Sequence, residues 1–310
     1  MNTPSIRPLP NCLVKQVAEE SNEVPSRIPD ELESLREWIK KQNHLIARTD
    51  DQFLVAFLRA CKHSLERCKE RIDSYYSLRA AIPIISHDRD PTHPYFVELF
   101  IKGLICPLPI PHPNGFRPII AKPGLFDVQR GGVMAALKFG FMVCDRYFVE
   151  DDYFSIGGYS VLFDMDGFST KHMAGLTVPT LRELAECMKL GYPIRHRGIH
   201  YINCPTGFDV LLRLFRNFLP TKLANVIHTH SDFESVYEHF PKSCLPAEYG
   251  GNLGTLREIT SDFLEKYLSS REWFDEDSKY RCDETKRQGA SRIPNDLFGV
   301  DGSFKKLEID

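Results

Sequence analysis

One segment, residues 192–251, constrains the fold of this chain more than any other. It reads YPIRHRGIHYINCPTGFDVLLRLFRNFLPTKLANVIHTHSDFESVYEHFPKSCLPAEYGG. A basic turn leads into a run with the alternation of a β-strand, which is followed by an apolar run with the spacing of an amphipathic helix. A second short strand-like run comes next. Strand, helix and strand in this order predict a parallel sheet with crossover helices.

The same alternation extends over the chain from residue 117 onward, which favours an α/β fold. Strands are predicted at residues 119–122, 160–164, 198–203 and 225–228. Helices are predicted at residues 131–150, 178–190, 208–218 and 233–239.

The rest of the chain divides by composition. Residues 1–28 are rich in proline and polar residues, which predicts a flexible N-terminal tail. Apolar residues then recur at helical spacing, which predicts a small all-helical domain over residues 29–90. An α/β domain with a mostly parallel sheet is predicted over residues 91–260, and residues 261–310 form a C-terminal extension.

Composition excludes several classes of protein. The length of 310 residues and the 42% hydrophobic content allow a sizeable core, and the net charge of -3 gives no general reason to bind nucleic acid. Nine cysteines without a C-x-x-C pair predict reduced thiols and a cytoplasmic location. The sequence shows no signal-peptide run and no stretch of about 18 apolar residues, so neither export nor a membrane span is predicted.

Catalytic motifs are also missing from the sequence. There is no G-x-S-x-G nucleophile elbow and no cysteine in a recognisable catalytic setting. The glycine pairs at Gly131-Gly132 and Gly157-Gly158 lack both the lysine of a P-loop and the spacing of a dinucleotide site. We therefore predict that the protein is not an enzyme and that it binds no cofactor.

Two short polar motifs have a structural interpretation. Asp164 and Asp166 follow a predicted strand, where a turn or capping role is favoured over a binding site. His228 and His230 lie two residues apart on a predicted strand and thus point to one face, as two metal ligands would. Because no third ligand is apparent nearby in the sequence, no metal site is predicted.

The helix predicted at residues 208–218 stands out by its apolar stripe. The stripe consists of Phe208, Leu211, Leu212, Phe215, Phe218 and Leu219. Exposing five or six such side chains to water would cost on the order of 10 kcal/mol, whereas a bilayer would replace one apolar environment with another. Two interpretations stay open: a crossover helix that faces the core, and a lid that opens at a membrane.

Basic residues flank this helix on both sides. Arg195, His196 and Arg197 precede the strand that leads to it, and Lys222 follows it. Each Lys or Arg near an anionic leaflet contributes about 1 kcal/mol, so three of them predict weak and reversible docking. A solvated charged loop is the alternative interpretation.

Taken in order, these segments resemble the CRAL-TRIO lipid-binding family, in the branch of α-tocopherol transfer protein, cellular retinaldehyde-binding protein and the clavesins. The resemblance covers about residues 30–260 and is carried by DDQFLVAFLRACKHSLERC, FDMDGF, YPIRHRGIHYINCP and LPAEYGG. It implies a helical N-terminal domain before an α/β lipid-binding domain with a helical gate. It also implies a monomeric carrier, without catalysis, of one small hydrophobic ligand such as a tocopherol, retinoid or carotenoid.

The resemblance implies positions for the cavity and its gate. The gate would run from after Asn203 to about Val226. Cavity-lining residues are implied at Phe163, Phe168, Leu184, Cys187, Met188, Tyr192, Ile194 and Ile199, with Phe208, Leu211 and Phe215 on the gate. Phe141 and Asp145 stand where the tocopherol-binding member has small hydroxyl residues, so tocopherol itself is not assumed. A buried Asp145 would need a hydrogen-bond partner, or would be protonated and available to a ligand hydroxyl.

The resemblance further implies contact with an anionic membrane. Arg195, Arg197 and Lys222 match three of the four basic residues with which the tocopherol-binding member holds phosphoinositide headgroups, and Val226 occupies the fourth position. Arginine suits bidentate contact with phosphate, whereas the valine weakens the case for tight headgroup specificity. A second function stays open at this point, that of a phosphoinositide-dependent membrane-trafficking adaptor.

Overall fold

The computed structural model describes residues 5–293, and the chain begins with a group of helices. The first elements are α1 (Asn11–Ser21), α2 (Ile28–Lys40), β1 (Leu45–Ile46), α3 (Asp51–Ala60) and α4 (Leu65–Ala81). The carboxylate of Asp50 caps α3 by accepting from the backbone N–H of Phe53 at 3.0 Å. Phe53, Phe57 and Tyr75 form an aromatic core in which ring centroids lie 5.0 to 5.8 Å apart. Aromatic packing thus joins α3 to α4.

Helix α1 lies in the segment that the sequence predicted to be a flexible tail, and the prediction is wrong there. Leu13 and Val17, one turn apart, are buried and pack with Ile156. Arg7 pairs with the buried carboxylate of Asp152 at 2.8 Å. Two apolar residues at i, i+4 suffice to dock a short helix onto an existing core, and a composition rich in proline and polar residues conceals such a pair.

The α/β part of the chain follows. Its elements are α5 (Pro94–Ile101), β2 (Ile105–Pro107), β3 (Arg117–Ala121), α6 (Gly132–Glu150), β4 (Tyr159–Asp164), α7 (Thr170–Ala174), α8 (Val178–Leu190), β5 (His196–Ile202), α9 (Phe208–Arg216), α10 (Thr221–Ala224), β6 (Ile227–Thr229) and α11 (Phe233–Tyr237). After them come α12 (Leu256–Leu268), α13 (Arg271–Asp277) and β7 (Arg281–Cys282). No helix within residues 5–293 has both the length and the apolar character needed to cross a membrane.

The central sheet has the strand order β2-β3-β4-β5-β6. Strands β3 to β6 are parallel, and β2 pairs antiparallel with β3 at the edge. The predicted α/β class with a mostly parallel sheet after a helical region is confirmed. The edge strand β2 was not predicted, because three residues that end in a proline give no periodic signal.

The two faces of the sheet differ in what they pack against. Along β4, Leu162 packs with the residues that follow β6, whereas its neighbours Val161 and Phe163 point to the other face and line a cavity. At the end of β4, the carboxylate of Asp164 accepts from the Tyr249 hydroxyl at 2.9 Å and from the Asn203 amide at 2.8 Å. Asp164 therefore joins FDMDGF to LPAEYGG, and its Oδ1 also accepts from the backbone N–H of Asp166 at 3.2 Å, which is the turn role that the sequence favoured.

The C-terminal extension packs on the helical region that opens the chain. Strand β7 pairs antiparallel with β1, and Leu45 lies opposite Cys282. Helix α12 crosses the boundary predicted between residues 260 and 261, so the extension continues the domain before it. Residues 294–310 of the predicted extension lie outside the described residues.

Candidate ligand cavity

A cavity of about 340 Å³ lies between one face of the sheet and the helices α6, α8 and α9. Its floor is formed by alternate residues of three adjacent strands, among them Ile119, Val161 and Ile199. These three residues are register partners in β3, β4 and β5, so their side chains form a row across the sheet. The wall is apolar almost throughout. Such a cavity favours ligands with little polar surface.

The structure places every residue that was predicted to line a cavity in this one wall. They are Phe163, Phe168, Leu184, Cys187, Met188, Tyr192, Ile194, Ile199, Phe208, Leu211 and Phe215. Their contact with a ligand stays a prediction.

The resemblance pointed to Phe141 on α6, but sequence reasoning missed the other residues that α6 contributes to the wall. Val133, Ala136, Leu137, Gly140 and Cys144 all line the cavity. They follow the i, i+3, i+4, i+7 spacing of one helix face, and most of them are small. Small residues on a helix that faces a sheet leave space between the two, and this was the signal available in the sequence. Burial raises the pKa of the Cys144 thiol to about 12, which keeps it uncharged.

His196 brings the most informative polar group into the wall. Its Nε2–H donates to the carbonyl oxygen of Met188 at 3.0 Å, because a carbonyl oxygen only accepts. The other nitrogen, Nδ1, is buried and has no hydrogen-bond partner among residues 5–293. Burial lowers the pKa of His196, so the ring is neutral and Nδ1 keeps a free lone pair. His196 is therefore a buried acceptor.

Asp145 is held by basic side chains. Arg79 Nη2 lies 2.8 Å from its Oδ1, Arg89 Nη1 lies 2.7 Å from its Oδ2, and the Tyr192 hydroxyl also donates to it. Phe141, by contrast, does line the cavity and stacks on Tyr192 with ring centroids 5.7 Å apart. The structure therefore has the first of the two alternatives given for a buried Asp145, a carboxylate with partners inside the protein, and Asp145 is not among the residues that line the cavity.

Comparison with known proteins identifies the part of the chain that surrounds the cavity. A family model of the CRAL/TRIO domain matches residues 102–251. Residues 102–251 form a CRAL/TRIO domain. A second family model, described as a Pinta-like UBA domain, matches residues 24–96.

Relatives of the CRAL/TRIO domain are similar over most of the chain. Alpha-tocopherol transfer protein-like of Homo sapiens is 26% identical over 250 residues, which cover 80% of this chain and 72% of that protein. Clavesin-1 of Xenopus laevis is 25% identical over 236 residues, which cover 76% and 71%. The crystal structure of Sfh5 is similar with a TM-score of 0.45 at 13% identity, and the match covers 85% of this chain and 100% of that one.

Helix α9 closes one side of the cavity in the CRAL/TRIO domain. Phe208, Leu212 and Phe215 are buried, whereas Val210 on the outer side is 63% exposed. The Phe208 ring lies 5.2 Å from the ring of Tyr201, centroid to centroid. The helix ends at Arg216, two residues before the predicted end, and α10 begins directly after Pro220. The predicted apolar stripe therefore divides between the cavity and the loop that follows α9.

The basic residues predicted to contact a membrane are partly engaged by the protein itself. The Arg195 guanidinium pairs with Glu20 of α1, and Arg197 Nη2 lies 3.9 Å from the same carboxylate. Arg197 Nε also donates to the carbonyl oxygen of Gly157 at 2.7 Å. Lys222 is exposed on α10 and forms no ion pair within the described residues. The structure thus joins the two arginines through Glu20 and leaves Lys222 outside this contact.

The remaining predicted positions have structural roles or lie outside the cavity wall. The carbonyl oxygen of Val226 accepts from the backbone N–H of Ile199 at 2.8 Å, which fixes the end of the gate segment against β5. His228 and His230 are not in the cavity wall; His228 lies in β6 and His230 directly follows it.

Proposed function

We propose that this protein carries a small hydrophobic ligand of the tocopherol, retinoid or carotenoid class and exchanges it at anionic membranes. The apolar cavity beneath α9 is the observation that supports this most. Its volume of about 340 Å³ lies within the range of roughly 300–1,000 Å³ that is typical of small-molecule sites. The relative named alpha-tocopherol transfer protein-like supports the same class of cargo.

The gate accounts for both retention and release in this proposal. Phe208, Leu212 and Phe215 are buried by α9, and each contributes about 1.5–3 kcal/mol relative to an exposed side chain. In water the gate therefore stays closed. At a bilayer the same side chains pass into an apolar environment, so much of this cost disappears and the ligand can leave.

The polar group of the wall narrows the kind of ligand that fits. His196 Nδ1 is a buried acceptor without a partner in the described part of the chain. A ligand hydroxyl that donates to it would remove the cost of an unsatisfied buried polar atom. We therefore favour an apolar ligand with one hydroxyl group, such as a retinol or a tocopherol, over a pure hydrocarbon.

In this proposal the protein acts in the cytoplasm as a monomer, contacts membranes transiently, and needs neither cofactor nor catalysis. Native mass spectrometry of protein purified from lipid-replete cells tests the central claim. We expect one lipophilic molecule per chain, released chemically unchanged. Consistently empty protein would overturn the carrier function, and recovery of a converted product would favour an enzyme.

A phosphoinositide-dependent trafficking adaptor is the second candidate, favoured by Arg195 and Arg197 at the start of β5. Binding to phosphatidylserine vesicles with and without phosphoinositide separates the two. For an adaptor, the double variant Arg195→Ala/Arg197→Ala abolishes vesicle binding, and ligand removal leaves it unchanged. Arg257→Ala is a control for loss of a surface arginine, because Arg257 is exposed on α12, which packs on the face of the sheet opposite the cavity. Equal vesicle binding by the double variant and the parent would show that neither arginine contributes to membrane binding.

A further inference from the structure

Four histidines meet on the face of the sheet that is opposite the cavity. His200 lies between Ile199 and Tyr201, which line the cavity, so strand alternation directs His200 to the other face. His228 is its register partner on β6. His230 follows β6 directly, and His239 follows α11. The sequence showed only the pair His228 and His230, since the topology brings His200 and His239 to them from other parts of the chain.

Three of these imidazoles converge closely enough to share one ion. His200 Nδ1 lies 2.9 Å from His230 Nε2. One nitrogen from each of His200, His230 and His239 lies within 4.8 Å of the other two. A tetrahedral zinc ion with Zn–N bonds of about 2.0–2.1 Å needs nitrogens roughly 3.4 Å apart. The separation between His200 and His230 is about 0.5 Å shorter than this value, and the separations to His239 are at most 4.8 Å, so small side-chain rotations bring the three nitrogens into range.

Neighbouring groups orient the rings of His200 and His230 for binding a metal ion. Ser235 Oγ donates to the carbonyl oxygen of Asp232 at 2.9 Å, so it accepts from His230 Nδ1 at 3.0 Å. His230 is then protonated on Nδ1, and its Nε2 presents a lone pair toward His200. A Cβ on Gly198 would lie 2.2 Å from His200 Nε2, so the absence of a side chain there gives this ring its place. Metal-binding histidines are commonly held by such a hydrogen bond on the second nitrogen.

The histidine cluster is buried at one end and exposed to solvent at the other. His200 is 2% exposed, whereas His239 is exposed. An ion can therefore enter from solvent past His239 and keep a water molecule as its fourth ligand. His228 packs beside the group, with its ring centroid 4.9 Å from that of His200.

A second group of side chains that could ligate a metal ion is already engaged in ion pairs. His44, Asp73 and Cys282 also lie close together. The Asp73 carboxylate, however, already binds Arg287 at 2.7 Å and Arg292 at 3.1 Å. The histidine cluster has no such competing ion pair within residues 5–293.

We propose that His200, His230 and His239 bind a divalent transition-metal ion of the zinc type. Imidazole nitrogen suits this class of ion, and three protein ligands with one open position are a common arrangement. The helices α9 and α10 lie between His200 and His230 in the sequence. The ion would therefore join the strand before the gate to the strand after it, and would fix both ends of the gate segment.

The test uses the untagged full-length protein, treated with a chelator and then titrated with Zn²⁺ alone. We expect one Zn²⁺ per chain and a rise in the unfolding temperature, since an ion that binds only the folded state stabilises it. His230→Asn/His239→Asn should weaken binding by more than about 100-fold. Ser235→Ala should weaken it by about 10- to 100-fold, as the loss of a supporting hydrogen bond does.

His87→Asn is the control, because His87 is exposed and lies outside the cluster. It should bind Zn²⁺ as the parent does. His239→Asn alone serves as a second variant if the double variant does not fold, since His239 is exposed. Unchanged affinity in a folded His239→Asn protein, or no saturable binding by the parent, would overturn the proposal. Neither result bears on the lipid cavity, which lies on the other face of the sheet.

Discussion

The two sides of the cavity are attached to the molecule in different ways. Behind it, Asp145 on α6 is bound by Arg79 and Arg89, and Arg89 continues to Asp277 at 2.8 Å. In front of it, α9 is held mainly by apolar side chains. Buried ion pairs are directional and costly to break, whereas apolar contacts are non-directional and can be replaced by lipid. From this difference we expect α9 to separate from the cavity more readily than the helices behind it.

Removal of Asp145 should have the largest effect. In Asp145→Ala, the guanidinium groups of Arg79 and Arg89 stay buried without their partner. Breaking one side of such a network costs about 3–5 kcal/mol of unfolding free energy. Urea denaturation of parent and variant measures this difference directly.

The matched control is an exposed acid–arginine contact on the gate. Asp209 Oδ2 and Arg213 Nη2 of α9 lie 3.6 Å apart, and their side chains are 72% and 79% exposed. Asp209→Ala should change the unfolding free energy by no more than about 0.5 kcal/mol. Equal costs for the two substitutions would show that the rear wall is no more firmly held than the gate.

A charge on the inner side of the gate should lower ligand retention. Phe215→Asp removes a buried ring and places a carboxylate against the apolar wall. Loss of about 1.5–3 kcal/mol of the free energy gained by burying this side chain corresponds to a dissociation rate that is roughly 10- to 100-fold faster. The rate is measured by transfer of a fluorescent ligand to acceptor vesicles.

Val210→Asp is the control for the gate variant, because it adds the same charge to the outer side of the same helix, where the side chain is 63% exposed. Its dissociation rate should equal that of the parent. If the two variants release ligand equally fast, then the buried face of α9 does not cover the ligand.

The sequence predicted the apolar residues of the gate better than the ion pairs behind the cavity. Phe208 and Phe215 follow a helical period, so they could be assigned to one face of the predicted helix. Arg79, Asp145 and Asp277 have no such period. They are far apart in the sequence, and only the packing of α4, α6 and α13 brings them together. Helix α1 was missed for a related reason, since its two buried apolar residues lie among polar ones.

Removal of the hydrogen-bond acceptor in the cavity wall should have a smaller effect, on ligand affinity. In His196→Phe an aromatic ring is kept, whereas the acceptor Nδ1 and the Nε2–H bond to the carbonyl oxygen of Met188 are both lost. A retinol should bind about 2- to 10-fold more weakly, which corresponds to one hydrogen bond of about 0.5–1.5 kcal/mol. The matched hydrocarbon, which has no hydroxyl, should bind equally well to parent and variant. Equal losses for both ligands would mean that His196 acts through packing rather than through its acceptor.

The smallest expected effect concerns the contact between α1 and the basic turn. Glu20→Gln removes the carboxylate that pairs with Arg195 and lies 3.9 Å from Arg197. Because these side chains are partly exposed, the pair stabilises the protein by at most about 1 kcal/mol. Both guanidinium groups then become available to lipid phosphate, so affinity for anionic vesicles should rise by up to about fivefold at low salt and less at high salt. Glu19→Gln controls for the change in net charge, since Glu19 lies 3.9 Å from Lys15 and does not contact the turn. A rise of the same size in both variants would show that Glu20 does not restrain the two arginines, and that α1 leaves the basic turn free to meet a membrane.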